Sequence, residues 1–279
     1  MMEGDGSSEM EYTEINTNAE SLDNSVIFHV IKDVLGFVLY MHQQIPSVLQ
    51  DIGLEFDSLK EEYQELEMAL AQDEAKASIR RKHNSRKREV KSGIKRLEKL
   101  MNTLNGLESA LQLIISEIPS LESFILILGA SPLRPQHVYE LWFSHGKVVL
   151  RGANDFTKSK AAEGLSRKAI RTLITKGGGS GSYPGPTKLF LLVKAPSSFN
   201  LPLHFLPKRD FRYSRKIVPV RLRLNCKSKD QDMVAPVNAC QTGSSINLTD
   251  STSNEFICVA MLLRALYLQL QQKNEKVSS

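Results

Sequence analysis

Apolar residues recur every three or four positions in several parts of the chain, which is the spacing of one face of an α-helix. The first such segment opens at Asn24 or Ser25, both good caps, and stops before Pro46, where a proline would break the helical backbone. The third is the longest, with an apolar stripe that starts at Val90 and stops before Pro119. The predicted helices cover residues 25–45, 54–76, 90–118, 159–176 and 255–272.

Short apolar runs and period-two alternation predict strands in the second half of the chain. The clearest alternation covers residues 216–226, where Pro219 indicates an edge strand or the start of a strand. The predicted strands cover residues 124–128, 138–143, 188–194, 211–216 and 216–226, and residues 147–151 extend the second one into a hairpin. Helices combined with an antiparallel sheet, and one helix inserted between strands, indicate the α+β class.

Three segments are too poor in apolar residues to be assigned a helix or strand. Residues 1–24 are acidic and polar, and we expect them to be disordered because they bury too little surface to offset the entropy of ordering. Residues 177–186 are dense in glycine and proline and predict a flexible loop. Residues 227–254 are polar and rich in turn-forming residues.

The net charge of +5 hides a strong asymmetry along the chain. Residues 1–31 carry seven acids and no Lys or Arg, whereas residues 80–99 carry ten Lys or Arg against two Glu, a net charge of +8. No apolar run approaches the roughly 18 residues of a membrane helix, and the acidic N-terminus does not resemble a secretory signal, so we expect no membrane partner. Three scattered cysteines without a CxxC pair fit a reducing compartment.

The patterns expected of catalytic or metal sites are missing. The six histidines show no HExxH spacing, and Ser180 lacks the glycine that a nucleophile elbow needs at position 182. The glycine-rich run is not followed by the Lys and Ser or Thr of a phosphate-binding loop, and Pro184 and Pro186 prevent an immediate helix. We therefore predict a non-enzymatic protein without cofactor or metal.

A basic run precedes the long amphipathic helix. Its two clusters are Arg80, Arg81, Lys82 and Arg86, Lys87, Arg88. Concentrated Lys and Arg in a flexible stretch can be read by import receptors, which predicts a protein shared between nucleus and cytoplasm. A solvated helix face is the alternative, and nucleic-acid binding is less favoured because no aromatic side chain lies in the run to stack on bases.

The predicted helix at residues 159–176 has an apolar strip that allows two interpretations. Apolar residues at helical spacing usually belong to a core. However, Ile170 is flanked by Arg167, Lys168 and Arg171, and an apolar strip with basic neighbours could equally present a partner-binding face.

Three segments resemble the comet family of HORMA-type adaptors in the same order along the chain. These are LYMHQQIPSVL at residues 39–49, FILILGASPLRPQHVYELWF at residues 124–143 and HFLPKRDFRYSRKIVPVRLRLNC at residues 204–226. The match runs over residues 26–50 and, with gaps, 85–226. The resemblance implies a HORMA-like domain at residues 25–226 with a charged insertion at 51–89, followed by a polar loop and an atypical C-terminal segment at 227–279.

The resemblance implies that the protein acts as an adaptor and not as an enzyme. Members of the family bind the closed form of the MAD-type checkpoint HORMA protein through a helix–helix contact. They present it to a hexameric AAA+ ATPase that unwinds it, which silences the spindle assembly checkpoint. Meiotic-axis HORMA proteins are further expected clients.

The resemblance also assigns site residues. The partner-binding residues it implies are Tyr40, Met41, Arg167, Ile170, Arg171, Leu173 and Ile174, and the ATPase contact is Pro207 with Lys208. Ile170 stands where the family has an aromatic contact, and Met41 where it has a polar one. A larger departure is at the C-terminus, where the family closes its fold with an aromatic strand but the chain from Cys258 onward predicts an apolar helix.

An alternative from another class is a nuclear coiled-coil or nucleic-acid-binding protein built on residues 54–115. The period-two pattern after residue 124 argues against a simple coiled coil, whose period is 3.5. A hydrolase or ATPase is the third hypothesis, and it predicts nucleotide turnover by the pure protein.

Overall fold

A computed structural model describes much of the chain. The described residues are 11–18, 21–72, 77–118, 121–144, 159–176, 187–196, 206–208, 211–214, 216–226 and 254–261. Five regions with sequence predictions lie outside them: residues 1–10 of the acidic segment, the hairpin extension at 147–151, the loop at 177–186 with Ser180, most of the polar segment at 227–254, and residues 262–272 of the predicted C-terminal helix.

Four helices are present in the described residues, and each overlaps a predicted one, but α2 begins five residues and α3 thirteen residues before the predicted start. They are α1 (Asn24–Met41), α2 (Leu49–Gln72), α3 (Ala77–Glu117) and α4 (Lys160–Thr175). Asp23 rather than Asn24 caps α1, since its Oδ1 accepts a hydrogen bond of 2.8 Å from the Val26 amide. Ser159 caps α4 in the same way through the Ala162 amide.

The described residues contain seven strands, which form one sheet. They are β1 (Thr13–Asn16), β2 (Ser123–Ser131), β3 (Arg134–Ser144), β4 (Lys188–Pro196), β5 (Leu206–Lys208), β6 (Val220–Asn225) and β7 (Asn254–Met261). Their order across the sheet is β1-β6-β3-β2-β4-β7-β5. The α+β class is confirmed, but the sheet is mixed, because β6 runs parallel to both β1 and β3.

The helical layer covers one face of this sheet. Alternate residues of the central strands, such as Leu126 and Leu141, pack with the apolar faces of α1, α3 and α4 in one buried cluster. The opposite face carries a smaller cluster around Ile127 and Leu192, covered by Phe211, Tyr213 and Ile217. No strand occurs at the described residues of 211–216, so that prediction was wrong; the alternation of aromatic residues there reflects packing onto the sheet.

The two ends of the described chain correct two further predictions. The disorder expected for residues 1–24 does not hold for residues 13–16, because β1 pairs with β6 and Ile15 is only 4% exposed. The helix expected at 255–272 is wrong for residues 255–261, which belong to the strand Asn254–Met261, paired with β4 on one side and β5 on the other. Residues 262–272 lie outside the described residues. The sheet therefore extends beyond residues 25–226 at both ends.

Candidate interaction surfaces

Helix α4 has one packed side and one solvent-facing side. Ala162, Leu165, Ala169 and Leu173 are fully buried against the core. On the other side Ile174 is 57% exposed, Ile170 is half-buried, and Arg167 and Arg171 are exposed. An isoleucine this exposed on an ordered helix is a candidate contact with a partner.

The structure separates the predicted partner-binding residues into two groups. Leu173 is 0% exposed and serves the core, so its assignment to the contact surface is corrected: its side chain faces inward. Tyr40 is 45% exposed at the end of α1, whereas Met41 next to it is partly buried against the core. Arg167 forms an ion pair with Glu163 one turn earlier on α4. Arg171 has no ion pair within the described residues.

A groove of about 770 Å³ runs between the helices on this side of the molecule. Arg167 and Ile170 of α4 line one side, and Lys32 of α1 lies opposite, bound to Glu108 of α3 at 2.8 Å. Ser166 also lines the groove, and its buried Oγ has no hydrogen-bond partner.

Sequence reasoning missed a hydrogen-bonded cluster where α1 meets the sheet. His42 Nε2 lies 2.6 Å from the Tyr139 hydroxyl, and the rings of His42 and His137 are 4.0 Å apart. Burial, and next the neighbouring His137, lower the pKa of His42 to about 4. Burial raises the pKa of Tyr139 to about 12. Both side chains are therefore neutral at physiological pH.

The segment after His42 extends this cluster to the start of β4. Gln44 donates through Nε2 to the His42 carbonyl at 2.8 Å and accepts from the Thr187 amide at 3.0 Å. Buried glutamine bonded at both ends fixes the path of the chain rather than binding a ligand. The signal available in the sequence was a run of polar residues, His42 to Gln44, directly after an apolar helix.

A second cluster lies on the opposite face of β3. Glu140 is buried, and it accepts hydrogen bonds from Arg221 Nε at 2.9 Å and from the Tyr213 hydroxyl. Burial, followed by the bond to Glu140, raises the pKa of Tyr213. The segments at residues 39–49 and 204–226 thus both contact β3, which belongs to the segment at residues 124–143. His42 of the first segment lies on one face of β3, and Tyr213 and Arg221 of the last lie on the other.

In the part of the chain that the structure describes, no three His, Cys, Asp or Glu side chains come together as metal ligands. The thiol of Cys226 is free, and burial raises its pKa, which disfavours the reactive thiolate.

The basic run lies on an ordered helix, contrary to the flexible stretch assumed for import. All six cluster residues belong to α3, and two of them are already paired with α2. Arg86 binds Glu62 through both Nε and Nη2, at 2.6 and 3.0 Å, and Lys87 binds Glu67 at 2.8 Å. Arg80, Arg81, Lys82 and Arg88 are exposed.

The predicted ATPase contact lies at an edge of the sheet. Pro207 and Lys208 belong to β5, the last strand, and pair with Ile257 and Phe256 of β7. Both residues therefore lie in a three-residue edge strand. A proline is tolerated there because the outer side of an edge strand needs no amide donor.

A scan of the chain against models of known protein families gives no match, and a search among curated proteins gives none either. By length and composition α1 is apolar enough to cross a membrane, a property shared by core helices, and most of it is buried in the fold.

Proposed function

We propose that this protein is a non-enzymatic adaptor with a HORMA-like fold. It binds the closed form of a MAD-type checkpoint HORMA protein and presents it to an AAA+ ATPase, with meiotic-axis HORMA proteins as further clients. The observation that carries the proposal is the division of α4 into a buried side and an outer side that exposes Ile174 and part of Ile170.

The energetics of this division favour a docking role. The exposed parts of these isoleucine side chains bury no apolar surface within the protein, and covering one of them with a partner gains up to roughly 2 kcal/mol. The helix is capped and packed along its length, so docking requires little ordering of the backbone. Arg171 beside the strip provides an unpaired cation for an acidic residue of the partner.

The family resemblance supports the remainder of the proposal. It supplies the identity of the client and the role of the ATPase, and it is consistent with a sheet backed by α1, α3 and α4. The edge position of β5 leaves the backbone of Pro207 and Lys208 on the outside of the sheet, where a ring-shaped ATPase can reach it.

Binding to the purified closed HORMA protein tests the docking surface. Ile170→Arg and Ile174→Arg place a charge in the contact and should weaken binding at least tenfold, because a buried unpaired charge is costly. Leu133→Arg is the matched control, since Leu133 is 65% exposed in the turn between β2 and β3. Normal binding by both α4 variants would remove α4 from the interface.

A conversion assay with ATPase, ATP and client tests presentation separately. The double variant Pro207→Ala, Lys208→Glu should bind the client normally and fail to support conversion of its closed form. Normal conversion would remove these residues from the site, and loss of client binding would assign them to the fold.

A further inference from the structure

The first half of α3 carries exposed cations along one side of the helix. Arg81, Arg88, Lys91, Lys95 and Lys99 are all exposed. At 100° per residue they fall within a sector of about 80°, and they extend over about 27 Å of helix axis. Between positions 81 and 99 this sector holds one other residue, Asn84, and no acid. We call these five cations the α3 stripe.

The opposite side of the same helix is occupied by α2. Val90 is buried there, and Gly93 lets α2 approach so closely that a Cβ would lie 3.1 Å from Leu59 Cδ1. Arg86 and Lys87 on the flanks are neutralised by Glu62 and Glu67. Within the described residues the α3 stripe has no ion pair, so its charges face solvent without compensation.

The composition of the α3 stripe limits the ligands that it fits. It has no apolar or aromatic side chain, so it offers neither the buried contacts of a protein interface nor a surface on which single-stranded bases stack. A rigid row of five cations instead matches a regularly spaced polyanion. The sugar-phosphate backbone of a double helix is such a polyanion, and an α-helix fits between its strands in the major groove of DNA.

We propose that the α3 stripe binds the phosphate backbone of double-stranded DNA without base specificity, a function beyond that of an adaptor. The lack of stacking residues, which disfavoured nucleic acid at the level of sequence, counts only against single strands. DNA is preferred to double-stranded RNA because the major groove of RNA is too narrow and deep for a helix. The stripe is separate from the exposed strip of α4.

Fluorescence anisotropy of the full chain with a labelled 24-base-pair DNA duplex of arbitrary sequence tests the proposal. Five phosphate contacts predict that log K falls with log salt concentration at a slope of about −4.5. Arg88→Gln combined with Lys95→Gln should weaken binding at least tenfold at 100 mM salt and reduce the slope by about 2. Arg134→Gln with Lys160→Gln removes the same charge from exposed positions elsewhere and should change affinity less than twofold.

Four results would overturn the proposal. The first is an equal loss of DNA affinity in the stripe and control variants, and the second is tighter binding of a 24-nucleotide single strand, or of an RNA duplex of the same length, than of the DNA duplex. The third is binding of anionic lipid vesicles but not of DNA. The fourth is self-association in low salt that the stripe variant abolishes while DNA is not bound. Circular dichroism and thermal unfolding must show that both variants fold. Binding of the closed HORMA protein should be unchanged in the stripe variant, so the two proposals can fail independently.

Discussion

Arg221 and Glu140 lie 81 residues apart in the chain and are joined by a hydrogen bond of 2.9 Å between Nε and Oε2. Their side chains are 20% and 7% exposed, so the ion pair is largely removed from water. Tyr213 donates to the other carboxylate oxygen. Each of these groups loses its hydration on folding, so removing one partner leaves the others buried without the hydrogen bonds that compensate that loss.

We therefore expect Glu140→Ala to lower the free energy of unfolding by about 3 kcal/mol, since it leaves a partly buried guanidinium and a hydroxyl without their acceptor. Glu140→Leu with Arg221→Met should cost less than the two single changes summed. Glu122→Ala is the control, because its ion pair with Lys194 is solvent-exposed and should cost below about 1 kcal/mol. Urea unfolding measures Glu140→Ala, Glu140→Leu, Arg221→Met, the double variant and Glu122→Ala, and equal losses for Glu140→Ala and Glu122→Ala would contradict the argument.

His42 makes the stability of the fold dependent on pH. Its pKa is lowered to about 4, against 6.5 in an unfolded chain, so the unfolded state takes up the proton first as pH falls. The stability contributed by neutral His42 is complete above pH 6.5 and is lost as pH falls toward 4, by roughly 3 kcal/mol. Burial lowers the pKa of His137 in the same direction.

If His42 titrates in this way, the difference in the free energy of unfolding between His42→Gln and the parent should become smaller as pH falls. His42→Gln should be less stable than the parent at pH 7, and this gap should shrink between pH 6.5 and 4. Urea unfolding at a series of pH values gives the slopes, and a constant gap for His42→Gln would show that its ring does not titrate as expected.

Two glycines should respond to alanine in opposite ways. A Cβ on Gly129 would lie 2.7 Å from the Arg134 carbonyl oxygen and 2.9 Å from Pro135 Cα, and backbone atoms cannot move aside easily. Gly129→Ala should therefore destabilise the protein by about 3 kcal/mol or more. A Cβ on Gly164 of α4 meets no atom within 4 Å, so Gly164→Ala should stabilise it by up to about 1 kcal/mol. Thermal unfolding of the two variants checks both signs.

The basic clusters of α3 remain a predicted nuclear-import signal. Replacing Arg86, Lys87 and Arg88 with Ala in a fluorescent fusion should reduce nuclear accumulation, but it also breaks the ion pairs to α2. Replacing Arg80, Arg81 and Lys82 removes three exposed cations without touching those pairs, which separates charge from helix packing. Unchanged nuclear fluorescence in both variants would contradict the prediction.

The sequence by itself determined the elements whose pattern is local. The four described helices and the strands predicted at residues 124–128, 138–143, 188–194 and 216–226 follow from periodicity or from short apolar runs within each element. The prolines after α1 and α3 act over a few residues and were equally readable, whereas the cap of α1 was expected at Asn24 or Ser25 and is Asp23. The exposed strip of α4 was visible as one of two interpretations.

Only the tertiary structure decided the features that depend on partners distant in the chain. β1 and β7 are too short or too ambiguous in period to be recognised alone, and they are strands because β6, β4 and β5 supply their backbone hydrogen bonds. Leu173 and Ile174 are equally apolar neighbours, yet 100° of helix rotation puts one in the core and the other in solvent. Arg86 and Arg88 differ by 200° of helix rotation; Arg86 is neutralised by Glu62 of α2, whereas Arg88 has no ion pair among the described residues. The charge of a side chain is set by its own identity, but its compensation depends on what packs beside it.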